Sequence, residues 1–114
     1  MNLGHFQTGF IGIISFPTRY SLTDPGVMVG KLHVDTVKRE IDFFVGANAG
    51  VRFPNHRHAG IEEIVVLEGD LVIDGELYSS GECIRSVPGS AHQPETYGGC
   101  LIFLGTSLDN KVIA

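Results

Sequence analysis

The sequence predicts an all-β chain folded as a sandwich or barrel, on three observations. No stretch repeats apolar residues at i, i+3, i+4 and i+7 for long enough to make a helix. Fifteen glycines and five prolines divide the chain into short segments. Between them lie runs rich in β-branched and apolar residues, such as IEEIVVL at 61–67 and CLIFL at 100–104, which suit a half-buried pleated surface.

Taken in order, the expected strands are 9–16, 27–37, 40–45, 51–58, 61–67, 71–74, 76–78, 82–87, 100–105 and 107–113. Turn chemistry separates them: DPG at 24–26, GANAG at 46–50, DG at 74–75, SSG at 79–81, PGS at 88–90 and GG at 98–99. Glycine supplies positive φ at such points and proline fixes φ near its turn value. Many short strands at this spacing belong to a sandwich or barrel. Phe43, Phe44, Phe53, Ile64, Val66, Ile102 and Phe103 are the expected core. With 114 residues and no internal repeat, low-complexity tract or linker, a single domain over 1–114 is expected.

Composition narrows the function classes. At 43% hydrophobic and 18% charged residues, the chain has enough apolar surface to offset the entropy of folding. Its formal charge of −5, from 8 basic against 13 acidic residues, provides no field for phosphate backbones, so nucleic acid is not an expected partner. The early apolar run at 10–14 is far short of the roughly 20 residues that span a bilayer. No basic region followed by an apolar core and a cleavage site marks a signal peptide, and a cytoplasmic protein without membrane contact is expected. Cys83 and Cys100 lack the spacing of a zinc ribbon or redox pair and are expected to pack as small apolar residues, although a sheet could bring them together.

Chemistry concentrates in HRHAGIEE at 56–63. On a helix the side chains of residues i and i+2 diverge, whereas on a strand they share a face, so only an extended segment lets His56 and His58 converge. Pro54 upstream and Gly60 downstream both disfavour a helix interior. A lone His-x-His is weak evidence by itself. A carboxylate beyond His58 and a third imidazole, His92, after the Pro-Gly turn make a mixed nitrogen and oxygen set suited to Zn, Fe, Mn, Ni or Co rather than to Mg or Ca.

The spacing adds a family resemblance. GVRFPNHRHAGIEEIVVLEG at 50–69 has Gly50, five residues, His56-x-His58, three residues, Glu62, six residues and Gly69, and it resembles the first motif of the cupin superfamily. GECIRSVPGSAHQP at 81–94 resembles the second, with His92 at the last ligand position. Over about 27–104, including the flanks PGVMVGKLHVD and GGCLIFL, the chain is most similar to the cupin domain of ChrR-type anti-sigma factors and to related small single-domain proteins. The resemblance implies an RmlC-like double-stranded β-helix, a jelly-roll barrel of two antiparallel sheets. It further implies one divalent transition metal (Zn, Fe, Mn or Ni) held by His56, His58, Glu62 and His92, and a homodimer.

The second motif departs from the general form. The segment from Pro88 to His92 is one residue shorter, and Thr96 stands where an Asn is frequent, in better agreement with the ChrR-like group. Anti-sigma activity in that group belongs to a separate helical module, and nothing in residues 1–45 has its His/Cys pattern. Family activities range from dioxygenases, decarboxylases and isomerases to metal or ligand sensing, so the fold does not name the reaction. A metal-binding cupin that senses or binds a small ligand is the first expectation. The alternative is a mononuclear Fe(II)-type dioxygenase acting on a small carbonyl or phenolic compound.

Alternation places Glu62 with Ile64 and Val66, and Glu63 with Ile61, Val65 and Leu67; both faces are apolar, so parity does not choose between them. The motif gaps choose Glu62 as the ligand and leave Glu63 as a rim carboxylate or a partner for an Arg. His5 and His33 are read as ordinary strand or surface histidines. Arg57, between the two ligand histidines, should point away from them. Arg85 is a candidate for holding an anionic ligand inside the barrel, and Tyr78, Gln93, Glu95 and Tyr97 are candidates for the mouth of the site. Glu62→Gln should lower bound metal, measured by elemental analysis, more than Glu63→Gln; the opposite order would overturn the assignment.

Overall fold

A computed structural model describes residues 26–113, so the expected strand at 9–16 and His5 lie outside the described residues. Nine strands follow in order: β1 (Val27–Asp35), β2 (Glu40–Ala47), β3 (His56–Arg57), β4 (Glu62–Ile73), β5 (Glu76–Ser79), β6 (Cys83–Ser86), β7 (Ala91–His92), β8 (Cys100–Ser107) and β9 (Lys111–Val112). Among the described residues there is no helix, and so none long and apolar enough to cross a membrane. Six strands form the larger sheet in the order β1-β2-β8-β4-β5, with β6 also paired to β4. The smaller sheet has the order β7-β3-β9. Every pairing is antiparallel.

Alternation along the central strands builds the core. Ile41, Phe43, Val45 and Ala47 of β2 face the interior with Ile64 and Val66 of β4 and Ile102 of β8. Phe53 packs against this cluster half-buried. Phe44 and Phe103 do not join it: they are cross-strand partners with ring centroids 5.1 Å apart, edge to face, on the other side of the sheet. The aromatic runs contain consecutive apolar residues, and the pleat sends alternate ones to opposite faces.

Three boundaries differ from expectation, the first being that Ser107 ends β8 and only Lys111–Val112 of the expected strand at 107–113 is strand beyond it. The segments 61–67 and 71–74 form one strand, β4, which continues through a register shift between Val66 and Glu68. Its first half pairs with β6 and β8, and its second half with β5. Most of 51–58 is not strand, since it follows an irregular path around Pro54 and is tied to the loop at 94–96 by Phe53 N–H to Pro94 O and Thr96 N–H to Val51 O. Proline cannot donate to a ladder.

The DG signal at 74–75 makes the β4–β5 hairpin, with φ of 51° at Asp74 and 81° at Gly75, the paired positive values of a type I′ turn. Thr96 is buried and donates to the Asp70 carbonyl, while the Asp70 carboxylate accepts from the N–H groups of Tyr97 and Gly98, so this loop is fastened to β4. The cysteines have different fates. Cys100 is fully buried and its thiol is pushed up to about 12, chiefly by desolvation, whereas Cys83 is exposed, contrary to expectation, and the two are not bonded. Cys83 follows the outer face of β6, which the larger sheet leaves uncovered.

Gly69 has a requirement that spacing alone does not reveal. Its φ is +80°, and a Cβ there would overlap the Gly99 carbonyl oxygen and stand 2.9 Å from Cys100 Cα. Gly75 has a similar φ but open space around it. Gly75→Ala should therefore cost about 1 kcal/mol from φ alone, and Gly69→Ala about 3 kcal/mol because backbone must also move. Urea unfolding of both variants checks this, and equal losses would contradict the packing argument.

Candidate metal centre

The site is assembled from three stretches of chain. His56 in β3 is the register partner of His92 in β7, which puts these imidazoles side by side across the smaller sheet. His58 lies just past β3, where its N–H donates to Ser90 O and its carbonyl accepts from Gly89 N–H, so it stays aligned with the strand beside it. After the 59–61 crossing, Glu62 opens β4 on the inner face of the larger sheet. His58, Glu62 and His92 are buried and His56 is half-buried.

The four side chains converge by their tips. His58 Nε2 lies 3.1 Å from each of His56 Nε2, His92 Nε2 and Glu62 Oε1, and His92 Nε2 is 3.1 Å from Glu62 Oε1. His56 Nε2 is 3.4 Å from Glu62 Oε2. The opposite ring nitrogens are engaged elsewhere: His56 Nδ1 is 3.0 Å from the Pro54 carbonyl, and His58 Nδ1 is 2.9 Å from Ser90 Oγ. Ser90 donates its own hydroxyl hydrogen to Val87 O at 2.6 Å, so at His58 it acts as acceptor. Both imidazoles therefore carry a proton on Nδ1 and, when neutral, present an Nε2 lone pair to the cluster.

Electrostatics points the same way. Burial pushes the Glu62 carboxyl up, but hydrogen bonds from His56 and His92 and the charges of His56 and His58 outweigh it and hold the group well below the usual carboxylate range. Burial also opposes charge on His56, yet the Glu62 carboxylate and the Pro54 carbonyl raise its pKa overall. For His58, burial wins and the pKa falls, although Glu62 pulls it upward. A buried anion and converging lone pairs require a cation among them.

A metal ion fits this demand. Metal–nitrogen and metal–oxygen distances of about 2.0–2.2 Å give ligand separations of about 3.0 Å for adjacent octahedral positions and about 3.4 Å for tetrahedral ones. Four of the separations here are 3.1 Å and that of His56 Nε2 from Glu62 Oε2 is 3.4 Å, within the span of both geometries. The ligand atoms of His56, His58, Glu62 and His92 all lie within 4.8 Å of one another, so together they could hold one ion.

Beside the cluster is a cavity of about 120 Å³. Phe43, Val45, Leu71, Ile102 and Leu104 form much of its wall, with His56 and Glu62 at one side; no Lys or Arg is among the described residues that line it. Arg85 is not there, being exposed with its Nε 4.0 Å from Glu63. That contact accounts for Glu63, which is exposed. Arg57 is exposed and donates to Gly89 O, away from the cluster. Tyr97 is exposed, Tyr78 packs at the edge of the core, and Gln93 and Glu95 both contact Arg52 outside the cavity. His33 is exposed on β1.

Sequence reasoning missed three polar neighbours. Ser90 lies inside the second motif and could have been noticed two residues before His92. Thr106, whose hydroxyl donates to Glu62 Oε2 at 3.0 Å, and Asn110, which donates to Thr106 Oγ1 at 2.7 Å, have no local signal because they reach Glu62 from the far end of the chain.

Residues 17–108 match the ChrR cupin-like domain. The chain belongs to that family. No curated protein sequence matches this cupin. Its fold is shared by solved structures of low identity. A cupin-fold protein of unknown function from Ralstonia eutropha JMP134 is 20% identical, with TM-score 0.72 over 78% of this chain and 59% of the other. Acetylacetone dioxygenase from Acinetobacter johnsonii is 18% identical, with TM-score 0.77 over 89% of this cupin and 71% of the enzyme. The anti-sigma ChrR of Rhodobacter sphaeroides, solved in complex with SigE, is 20% identical, with TM-score 0.66 over 80% of this chain and 49% of ChrR. This cupin thus spans less than two thirds of the Ralstonia protein and about half of ChrR.

Ser90→Ala removes the acceptor that keeps His58 in its metal-facing tautomer. Chelator competition should show metal affinity about 10-fold lower, the low end for loss of such an outer partner. Unchanged affinity would mean that His58 is oriented by packing alone.

Proposed function

We propose that this chain is a metal-binding cupin in which His56, His58, Glu62 and His92 hold one divalent transition metal, Zn, Fe, Mn or Ni, and present it to a small uncharged molecule in the adjoining cavity. The observation that carries the reading is the convergence of three imidazole nitrogens on the buried Glu62 carboxylate at the wall of that cavity. A bound metal would supply Lewis acidity and, if six-coordinate, positions left open by the four protein ligands. The chain's own residues do the rest. Phe43, Ile102 and Leu104 exclude water, and the absence of Lys and Arg from the described lining favours a ligand without a phosphate or a second carboxylate. A cavity of about 120 Å³ is somewhat smaller than the roughly 150 Å³ apolar cavity that accommodates benzene.

A second reading, an Fe(II)-type dioxygenase for a small carbonyl or phenolic compound, is favoured by the four-residue ligand set beside an apolar cavity, since a six-coordinate ion held by four protein ligands would keep two positions open. The shared fold with acetylacetone dioxygenase is consistent with it and, at 18% identity, bears on fold alone. A sigma-factor partner belongs to ChrR as a whole and is not part of this proposal. A single domain over 1–114, a homodimer and a cytoplasmic location complete the reading; β1 and β5 end the larger sheet among the described strands and would give edges for pairing.

Elemental analysis of tag-free protein, with His58→Ala as control, is the deciding experiment. About one transition metal per chain, lost in the variant, is expected; no metal in either sample would remove the reading. Oxygen uptake after anaerobic Fe(II) loading, with a panel of diketones and phenols, separates turnover from binding, and background rates throughout would sink the dioxygenase alternative.

A further inference from the structure

We propose that Thr106, oriented by Asn110, is a positioning residue that fixes the rotation of the Glu62 carboxylate and so sets how its oxygens are presented to the metal; the inference rests on the metal reading above. The hydrogen bonds form a chain whose direction is fixed at one end. The Ala59 backbone N–H can only donate, and it donates to Asn110 Oδ1 at 2.9 Å. The amide of Asn110 must then direct Nδ2 at Thr106 Oγ1, 2.7 Å away, and the amide group donates there. With that lone pair occupied, the Thr106 hydroxyl hydrogen is free to point at Glu62 Oε2, 3.0 Å away, and an ionised carboxylate can only accept it. With Oε2 so held, 3.4 Å from His56 Nε2, the other oxygen, Oε1, faces His58 and His92 at 3.1 Å each.

This arrangement is more than hydrogen-bond satisfaction of a surface group. Glu62 and Thr106 are both buried, so Oε2 has no ready exchange with water if the hydroxyl is lost. Asn110 joins three parts of the site: the 59–61 crossing between two ligands, the end of β8, and the turn into β9, whose Val112 pairs with His56. The same residue that sets the hydroxyl's direction therefore also ties the crossing between His58 and Glu62 to the strand that flanks His56. Thr106 and Asn110 line the cavity as well, so the hydroxyl and the amide on its described wall are committed to the carboxylate and to each other.

Cobalt(II) alone is a sufficient probe, titrated against a chelator of known affinity while its visible spectrum is recorded. Thr106→Ser, which keeps the hydroxyl, should bind within about threefold of the parent with the same spectrum. Thr106→Val, nearly the same shape without the donor, should bind about 10- to 100-fold more weakly with altered band positions and intensity. Asn110→Asp replaces the donor with a competing acceptor for the same hydroxyl and should shift the spectrum in the same sense. A Thr106→Val protein with parent affinity and spectrum overturns the inference while leaving the metal reading intact. Failure of the parent itself to bind cobalt overturns both. Should Thr106→Val not fold, Asn110→Ala decides by the same two readouts: a parent-like spectrum and affinity would overturn the proposal, and a weakened, altered one would support it.

Discussion

A carboxylate taken almost completely out of water, that of Glu62, is the constraint on which the rest of this fold depends. An isolated ionised group in such a place would be prohibitively costly, and proteins meet that cost with partners or with neutralisation. Here the partners are three imidazoles and one hydroxyl, drawn from three separate parts of the chain, at 56–58, 92 and 106. The ends of β4, β7 and β8 and the short strand β3 must all be in register for Glu62 to be satisfied at once. Stability and chemistry are coupled at this point, since the groups that make the carboxylate tolerable are the ones that would coordinate an ion.

The two sheets divide this work. The smaller sheet, only three short strands, carries His56 and His92 as register partners and holds His58 alongside through the Ser90 and Gly89 backbone bonds. The larger sheet supplies Glu62, Thr106 and the apolar wall. Such a wall around an ion limits water and sets the local dielectric, which strengthens each electrostatic contact within it. The long β4 strand joins these regions. Its first residue is Glu62, and near its middle Gly69 passes so close to Gly99 that no side chain fits between them. The motif glycine is thus a packing requirement that seats β4 against the strand carrying Thr106.

Much of the site was legible because metal-type chemistry uses short-range geometry. His56 and His58 could be placed on one face from the two-residue period of a strand, and Pro54 and Gly60 removed the helical alternative. The β-class and the hairpin at Asp74-Gly75 were legible for the same local reason, because positive φ at two successive positions selects those residues. Elsewhere local patterns were ambiguous. Phe43 and Phe44 are equally apolar, yet only Phe43 reaches the core, since alternation defines two faces without saying which one is covered. Cys83 and Cys100 differ in the same way.

The sequence by itself determined the strand-rich class and the shared direction of the imidazoles within His-x-His, and its resemblance to the first cupin motif, through the gaps to His58 and Gly69, preferred Glu62 to its neighbour. Only the tertiary structure decided what surrounds that carboxylate: the fate of Glu63 beside Arg85, the tautomer-setting contacts of Pro54 and Ser90, and the hydroxyl and amide of Thr106 and Asn110. The physical reason is the range over which each signal acts. Side-chain direction along a strand is fixed by the residue's own backbone, whereas a hydrogen bond between residues 44 positions apart exists only after sheets have paired and closed.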